Sequence, residues 1–229
     1  MNTILAMDTS GPSLSVALTR GDQVVYECAR QNGLTHSEGL MALVDQALTA
    51  GGIGACEVDC FAVVHGPGSF TGVRIGVATA KSMAQAAEKP CVGINALEAL
   101  AAGAALFEHT VCPMQDARDG QVYAAAFQSG CRMLPDEAVR LDALLARLAS
   151  LGRCCFVGDG AVKYRDAIAE GMGELAVFPP EAMYLRASCV ARLAMKKIPG
   201  AGSWRELTPY YLRLPQAERE RIAKEAAHG

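Results

Sequence analysis

The chain has 229 residues, of which 51% are hydrophobic, and its formal net charge at pH 7 is −3. A chain of this length and composition can bury a sizeable core, in one large domain or in two small ones. Its acids and bases are nearly balanced and no block of lysine and arginine is present. The composition therefore excludes a surface that grips nucleic acid by charge alone.

The nine cysteines follow no disulfide or zinc framework. No CxxC pair occurs, their number is odd, no signal peptide is recognised, and most of them lie within apolar runs. Reduced, buried thiols in a cytoplasmic protein are the natural interpretation. A zinc site at Cys56 and Cys60 would lack a second pair of ligands, so no metal site is predicted.

Hydrophobic patterning divides the first hundred residues into strands, helices and turns. A Thr-x-x-Glu capping box at Thr35 and Glu38 marks one helix start, and Gly51 with Gly52 marks its end. The predicted strands are Thr3–Met7, Leu14–Leu18, Gln23–Cys28, Cys60–Val64 and Pro90–Ile94, and the predicted helices run from Thr35 to about Ala50, from Gly72 to before Pro90, and over Ala96–Leu106.

The turn after the first strand has the sequence Asp8-Thr9-Ser10-Gly11. An acidic residue at the end of a first strand, followed by hydroxyl and glycine residues, is the phosphate loop of actin-like ATPases and sugar kinases. In that loop, backbone amides hold phosphate and the aspartate holds magnesium through water. The same residue types also make an ordinary turn, so both interpretations stay open.

The opening pattern returns in the second half of the chain. The strand Thr110–Gln115 ends at Asp116, and the alternating stretch Gln121–Gln128 follows as a second strand. Because Asp8 and Asp116 occupy equivalent places, we predict a remote internal duplication. This duplication favours an α/β chain with the actin-like ATPase (ASKHA, ribonuclease H-like) fold, in two lobes that each contain a mixed sheet and helices.

The lobe boundary is predicted near residue 108. Residues 1–108 form the N-terminal lobe, and residues 109–229 form the C-terminal lobe with a charged terminal segment. The other predicted elements of the second lobe are a strand over Cys131–Leu134, a helix over Asp142–Leu151, a strand over Cys154–Val157, a helix over Glu181–Lys197, and a solvated helix or disordered tail over Gln216–Ala227.

Small residues recur every four positions on the helix that begins at Gly72. Gly72, Gly76, Ala80 and Ala84 share one face. A glycine inside a helix costs about 1 kcal/mol relative to alanine, so two on one face indicate that something large packs there. The helix either packs closely on its own sheet or contacts a helix of another subunit.

The sequence contains few features of known catalytic motifs. There is no G-x-S-x-G elbow, and GPGSFTGVR lacks the lysine of a Walker loop. Asp8, Ser10, Asp116 and Asp159 are the candidates to line a cleft between the lobes. Carboxylates in such a cleft fit weak binding of ATP or ADP with magnesium, and single aspartates at strand ends are also common turn formers.

The chain resembles the TsaB (YeaZ-like) family in several motifs that occur in order. TsaB is the bacterial partner protein of tRNA threonylcarbamoyladenosine synthesis and a relative of the TsaD/Kae1 proteins. The resemblance covers nearly the whole chain up to about Arg213. It rests on ILAMDTSGPSLSVAL, THSEGLMALVDQAL, GPGSFTGVRIGVATAKSMA, DARDGQVYAAAF and PYYLR.

The resemblance implies a non-catalytic scaffold subunit that requires no cofactor of its own. Its partner would be TsaD, which transfers threonylcarbamoyl to the adenosine beside the anticodon, and the ATPase TsaE would join them. The chain would form a homodimer when alone, contact tRNA only through the complex, and have no membrane association. The implied partner-binding residues lie on the helix after the GPGSF loop: Gly72, Ile75, Gly76, Thr79, Ala80 and Met83. An arginine at Gly76 is then expected to abolish pairing and leave the fold largely intact.

One position departs from the pattern of the catalytic relatives. TsaD/Kae1 proteins have two metal-binding histidines four residues apart at the start of this first helix. Here the residue four after His36 is Leu40, which cannot ligate a metal. The alternative function, an ATP-dependent phosphotransferase or a metal-dependent glycoprotease-like peptidase on the same fold, is disfavoured by this difference.

Overall fold

The computed structural model describes residues 2–33, 35–200 and 203–213, and in them the chain forms two five-stranded mixed sheets with helices. The first sheet contains β1 (Thr3–Asp8), β2 (Leu14–Arg20), β3 (Gln23–Arg30), β4 (Cys60–Gly66) and β5 (Cys91–Asn95). The second contains β6 (Thr110–Asp116), β7 (Gln121–Gln128), β8 (Cys131–Arg140), β9 (Cys154–Val157) and β10 (Ala176–Val177). The helices are α1 (His36–Gly51), α2 (Phe70–Ala87), α3 (Ala96–Gly103), α4 (Leu141–Leu148), α5 (Asp159–Lys163), α6 (Arg165–Met172) and α7 (Ala187–Lys197).

The two sheets have the same topology. The strand orders are β3-β2-β1-β4-β5 and, read in the matching direction, β8-β7-β6-β9-β10. In each sheet the first three strands pair antiparallel, and the first, fourth and fifth strands pair parallel. Asp8 and Asp116 are the last residues of β1 and β6, so the predicted equivalence of these aspartates is confirmed.

Two helices cross between the halves of the chain. Helix α3 follows the first sheet in sequence but packs on β6, and α7 follows the second sheet but packs on β1 and β2. A central core cluster draws residues from both sheets and both helices, among them Ile94, Leu97, Val157 and Val190. Helix α7, which falls in the predicted range 109–229, therefore lies against the first sheet, and the boundary near residue 108 stays a prediction.

Helix α1 begins and ends as its sequence predicts. The backbone amide of Thr35 donates to a Glu38 carboxylate oxygen at 3.1 Å, as in a capping box. At the other end Gly52 adopts a left-handed conformation with φ of 62°, which terminates the helix after Gly51.

Three predicted boundaries are wrong, two of them for a tertiary reason. Helix α3 ends at Gly103 instead of Leu106, whose side chain is 97% exposed and so has no core to pack on. Strand β8 passes through the exposed Pro135 to Arg140, because a register shift near Ala126 lets the proline avoid the ladder. The helix predicted from Glu181 begins at Ala187.

The predicted charged tail, Gln216–Ala227, lies outside the described residues. Among the helices that are described, none is long and apolar enough to cross a membrane.

Candidate functional site

The turn after β1 is held by the loop and helix that follow β4. The Ser69 amide donates to the Ser10 carbonyl at 2.7 Å, and the Thr9 hydroxyl donates to the Gly72 carbonyl at 2.7 Å. Within the turn, the Ser10 amide donates to Asp8 Oδ1 at 2.8 Å. In the turn that resembles a phosphate loop, the Thr9 hydroxyl and the amide and carbonyl of Ser10 are thus hydrogen-bonded within the chain.

The small-residue stripe of α2 faces the interior. A Cβ at Gly72 would overlap the Thr9 carbonyl oxygen, and a Cβ at Gly76 would overlap the Thr9 hydroxyl and lie 3.1 Å from a Val63 methyl group. Ala80 is fully buried in the core of the first lobe. The chain's own first lobe therefore occupies the face of Gly72, Gly76 and Ala80, as in the first of the two packings predicted for this helix.

The other predicted partner-binding residues of α2 lie nearer the surface. Ile75, Thr79 and Met83 are half-buried, and the first and last of them pack against the core cluster of the first lobe. The exposed row of the helix comprises Arg74, Ala78 and Ser82, which we call the α2 outer face. Binding of a partner through Ile75, Thr79 and Met83 stays a prediction.

The four candidate nucleotide-binding residues meet where the lobes touch. Gln115 Nε2 donates to the Ser10 hydroxyl at 3.2 Å, and the Asp116 amide donates to Asp159 Oδ2 at 3.2 Å. The cavity between the lobes, lined by Asp8, Gln115 and Asp159 among others, has a volume of only about 10 Å³. A space of this size holds at most a single water molecule.

Burial sets the electrostatics of this cavity. Burial raises the pKa of Asp8 to about 6 and that of Asp159 to about 6, against hydrogen bonds that lower both. In the described part of the chain, Asp8 Oδ2 and Gln115 Oε1 are buried and have no hydrogen-bond partner. Asp8 and Gln115 both line the cavity, and a protonated Asp8 would supply a hydrogen-bond donor there.

Asp116 lies in a different environment, at the rim of the contact. One carboxylate oxygen accepts from Lys163 Nζ at 2.7 Å, and the other accepts from the Arg118 amide at 3.0 Å. The carboxylates of Asp116 and Asp159 thus accept hydrogen bonds from the chain beside a small cavity, and weak binding of ATP or ADP with magnesium there stays a prediction.

The histidine and cysteine residues considered as metal ligands are His36, Cys56 and Cys60. His36 Nε2 lies 2.8 Å from the Gly11 carbonyl, so its ring braces the turn after β1. Cys60 is buried and its thiol faces the Phe61 carbonyl, whereas Cys56 is exposed. Within the described ranges, no group of three or more histidine, cysteine, aspartate or glutamate side chains is arranged to hold a metal ion.

Sequence reasoning missed the path of residues 203–213, which we call the C-terminal strap. The strap crosses the first lobe beside α2: Lys81 Nζ donates to the Leu207 carbonyl at 2.8 Å, and the Tyr210 amide donates to the His65 carbonyl at 2.7 Å. Arg213 then donates to the Ala117 carbonyl at 3.0 Å. The PYYLR motif was the available signal, and it joins the GPGSF loop to the DARDG turn of the second lobe.

Solved structures share this arrangement of two lobes. An uncharacterised protein from Pseudomonas aeruginosa, described as similar to the peptidase YeaZ, aligns with 93% of this chain and 100% of its own, with a TM-score of 0.78 and 26% identity. Component A of (R)-2-hydroxyglutaryl-CoA dehydratase from Acidaminococcus fermentans aligns with 87% of this chain and 100% of its own, with a TM-score of 0.52 and 14% identity, which is a likeness of fold alone. The duplicated sheets and facing turns define a protein of the actin-like ATPase fold class.

Comparison with related sequences identifies the family within this fold class. The family model described as TsaD, tRNA N6-adenosine threonylcarbamoyltransferase, matches residues 28–190. The tRNA threonylcarbamoyladenosine biosynthesis protein TsaB of Bacillus subtilis (strain 168) is 35% identical over 222 residues, which cover 94% of this chain and 96% of that protein. The chain belongs to the TsaB family of tRNA threonylcarbamoyladenosine biosynthesis proteins, as its motifs predicted.

Proposed function

We propose that this chain is a non-catalytic subunit that binds and activates TsaD in the modification of the adenosine beside the tRNA anticodon. TsaE is the expected third subunit. The observation that carries the proposal is the nearly full-length match to a TsaB protein of this pathway. A partner that binds the active conformation of TsaD better than its inactive conformation shifts TsaD toward activity without contributing a reacting group.

The closed contact between the lobes supports a scaffold function. An enzyme of this fold needs an open cleft in which substrate meets positioned groups. Here Asp116 is paired with Lys163, and the turn at Ser10 is bonded to Ser69 and Gln115. The proposal therefore assigns no nucleotide chemistry to the cavity.

The α2 outer face is the surface that this function would use. Ala78 and Ser82 are exposed and small, so a partner helix can approach the backbone of α2 closely. The half-buried Ile75 and Met83 of the same helix add apolar area. The same face serves a homodimer when TsaD is absent, and tRNA is contacted through the complex.

An arginine at Ala78 tests this surface. Ala78→Arg puts charge and bulk on the outer face, and we expect binding to TsaD of the same organism to weaken by about 100-fold or more, measured by calorimetry. The matched control is Ala146→Arg, the same change at an exposed site of α4 in the second lobe. The control should bind like the wild type, and both variants should keep their thermal stability.

Two results would count against the proposal. If the wild-type chain does not bind TsaD, the assigned partner is wrong. If Ala78→Arg and Ala146→Arg both bind like the wild type, TsaD binds another surface of the chain and the α2 outer face is not the interface.

A further inference from the structure

We propose that Arg74 is the anchor of the α2 outer face and receives a carboxylate side chain of the partner helix. The inference rests on the proposed function, since it names the group with which that interface engages its partner. It follows from how the chain holds this arginine in advance of binding.

Two groups fix the Arg74 guanidinium at the surface. Its Cζ lies 3.8 Å from the centroid of the Phe70 ring, and its Nε donates to the Tyr211 hydroxyl at 3.0 Å. The rings of Phe70 and Tyr211 lie 5.0 Å apart, so the strap and the first turn of α2 form one aromatic support. A planar guanidinium stacked in this way loses little further freedom when it binds.

The terminal nitrogens of Arg74 are left for an outside acceptor. Among residues 2–33, 35–200 and 203–213, none accepts a hydrogen bond from either Nη atom, and no carboxylate lies within 4 Å. By contrast, Arg132, Arg147 and Arg186 each pair with a carboxylate of the chain. Arg74 is exposed and keeps four N–H donors in a fixed fork.

The surroundings favour a carboxylate over a phosphate as the acceptor. The fork of a guanidinium matches the two oxygens of a carboxylate in a bidentate pair. A site for a polyanion gathers several cations, but Lys81, the cation about two turns further along α2, is bonded to the Arg205 and Leu207 carbonyls of the strap. Ala78 and Ser82 beside Arg74 suit a protein helix, and arginine and tyrosine are enriched at the centres of protein interfaces.

Tyr211 acts as a positioning residue in this arrangement. It contributes a hydroxyl that points the guanidinium, and it arrives on the C-terminal strap, whose next contact is Arg213 with the Ala117 carbonyl of the second lobe. Removal of the hydroxyl should loosen Arg74 without removing its charge.

A charge series at one position tests the proposal by calorimetry with TsaD. We expect binding to weaken about 10-fold for Arg74→Lys, about 30-fold for Arg74→Gln and more for Arg74→Glu, which opposes like charges. Tyr211→Phe should weaken binding about 3-fold. The affinity of Arg74→Gln for TsaD should depend less on salt concentration than the affinity of the wild type does. Arg153→Gln, at an exposed arginine of the second lobe, is the matched control.

The outcomes separate this inference from the proposed function. If all Arg74 variants bind like the wild type while Ala78→Arg does not bind, the anchor is wrong and the interface stands. If Arg74→Glu binds as well as Arg74→Gln, the group opposite is not anionic and the carboxylate is wrong. If wild-type chain and TsaD do not associate, both proposals fall together. Thermal unfolding of each variant at the wild-type temperature shows that lost binding is not lost fold.

Discussion

The two lobes share one topology but treat their equivalent aspartates in opposite ways. Asp8, at the end of β1, is 1% exposed, and its Oδ2 has no partner in the described part of the chain. Asp116, at the end of β6, is partly exposed and paired with Lys163. Burial in the first lobe and solvation in the second therefore give the same residue, at the same place in the fold, different electrostatics.

The helices that follow the fourth strand of each sheet differ as well. Helix α2 has 18 residues and α5 has five, although both pack against the end of the first strand of their sheet. In both lobes the approach is so close that a glycine has no space for a Cβ: Gly72 lies against the Thr9 carbonyl, and Gly158 lies against the Met114 carbonyl. The two lobes thus share their sheets and differ in this helix, whose inner face in the first lobe packs on the lobe's own core.

The glycines at the two helix starts give the largest expected difference between the lobes. Gly72→Ala forces a methyl group against the Thr9 carbonyl, whereas at Gly160 of α5 the nearest atom to a new Cβ is 3.0 Å away. We expect a loss of stability of about 3 kcal/mol for Gly72→Ala and about 1 kcal/mol for Gly160→Ala, measured by urea unfolding. The same argument predicts that Gly76→Arg unfolds the chain, contrary to the sequence-based expectation. Equal losses at the two glycines would contradict the smaller space for a Cβ at Gly72 than at Gly160.

The aspartates give the next largest difference. Because burial raises the pKa of Asp8 from 3.8 to about 6, the folded state holds a proton that the unfolded state has released between these pH values. The wild type therefore loses stability at this site as pH rises from about 4 to 6, and the loss is complete above pH 6. Asparagine has no such proton to release. The free energy of unfolding of Asp8→Asn, relative to that of the wild type, should therefore rise by about 2 kcal/mol from pH 4 to pH 7.5.

The matched variant in the second lobe is Asp116→Asn. It loses a partly exposed ion pair with Lys163, so we expect a loss of about 0.5 kcal/mol in unfolding by urea. If the difference in stability between Asp8→Asn and the wild type is the same at pH 4 and at pH 7.5, burial does not raise the pKa of Asp8.

Thiol labelling separates surface from core without altering stability. Of the nine free cysteines, Cys56 and Cys131 are exposed, Cys28 is half-buried and six are buried. Burial also raises the pKa of Cys60 to about 11 and that of Cys155 to about 12, which suppresses the reactive thiolate. A chromogenic disulfide reagent should titrate two thiols rapidly in the native chain and the rest on unfolding. Rapid reaction of six or more native thiols would contradict the packing of both lobes.

Local patterns in the sequence were sufficient for the architecture. Period-two apolar runs bounded by glycine and proline located most strands, and the recurrence of a strand ending in aspartate, first at Asp8 and then at Asp116, predicted the duplicated sheets. These features depend on residues that are close together in the chain, so they can be recognised in a single sequence.

The direction of the α2 stripe could not be predicted in the same way. A glycine such as Gly76 indicates that something approaches, and only the folded chain shows that the approaching group is Thr9. The strap was missed because its contacts are remote in sequence, as between His65 and Tyr210. The isolated Oδ2 of Asp8 is likewise a product of lobe packing, which no local pattern encodes.

Sedimentation velocity of this chain with TsaD tests the central claim most directly. We predict that the chain alone sediments as a homodimer, that an equimolar mixture gives a one-to-one complex in its place, and that Ala78→Arg forms neither species while Ala146→Arg forms both. A wild-type chain whose sedimentation is unchanged by TsaD would contradict the account.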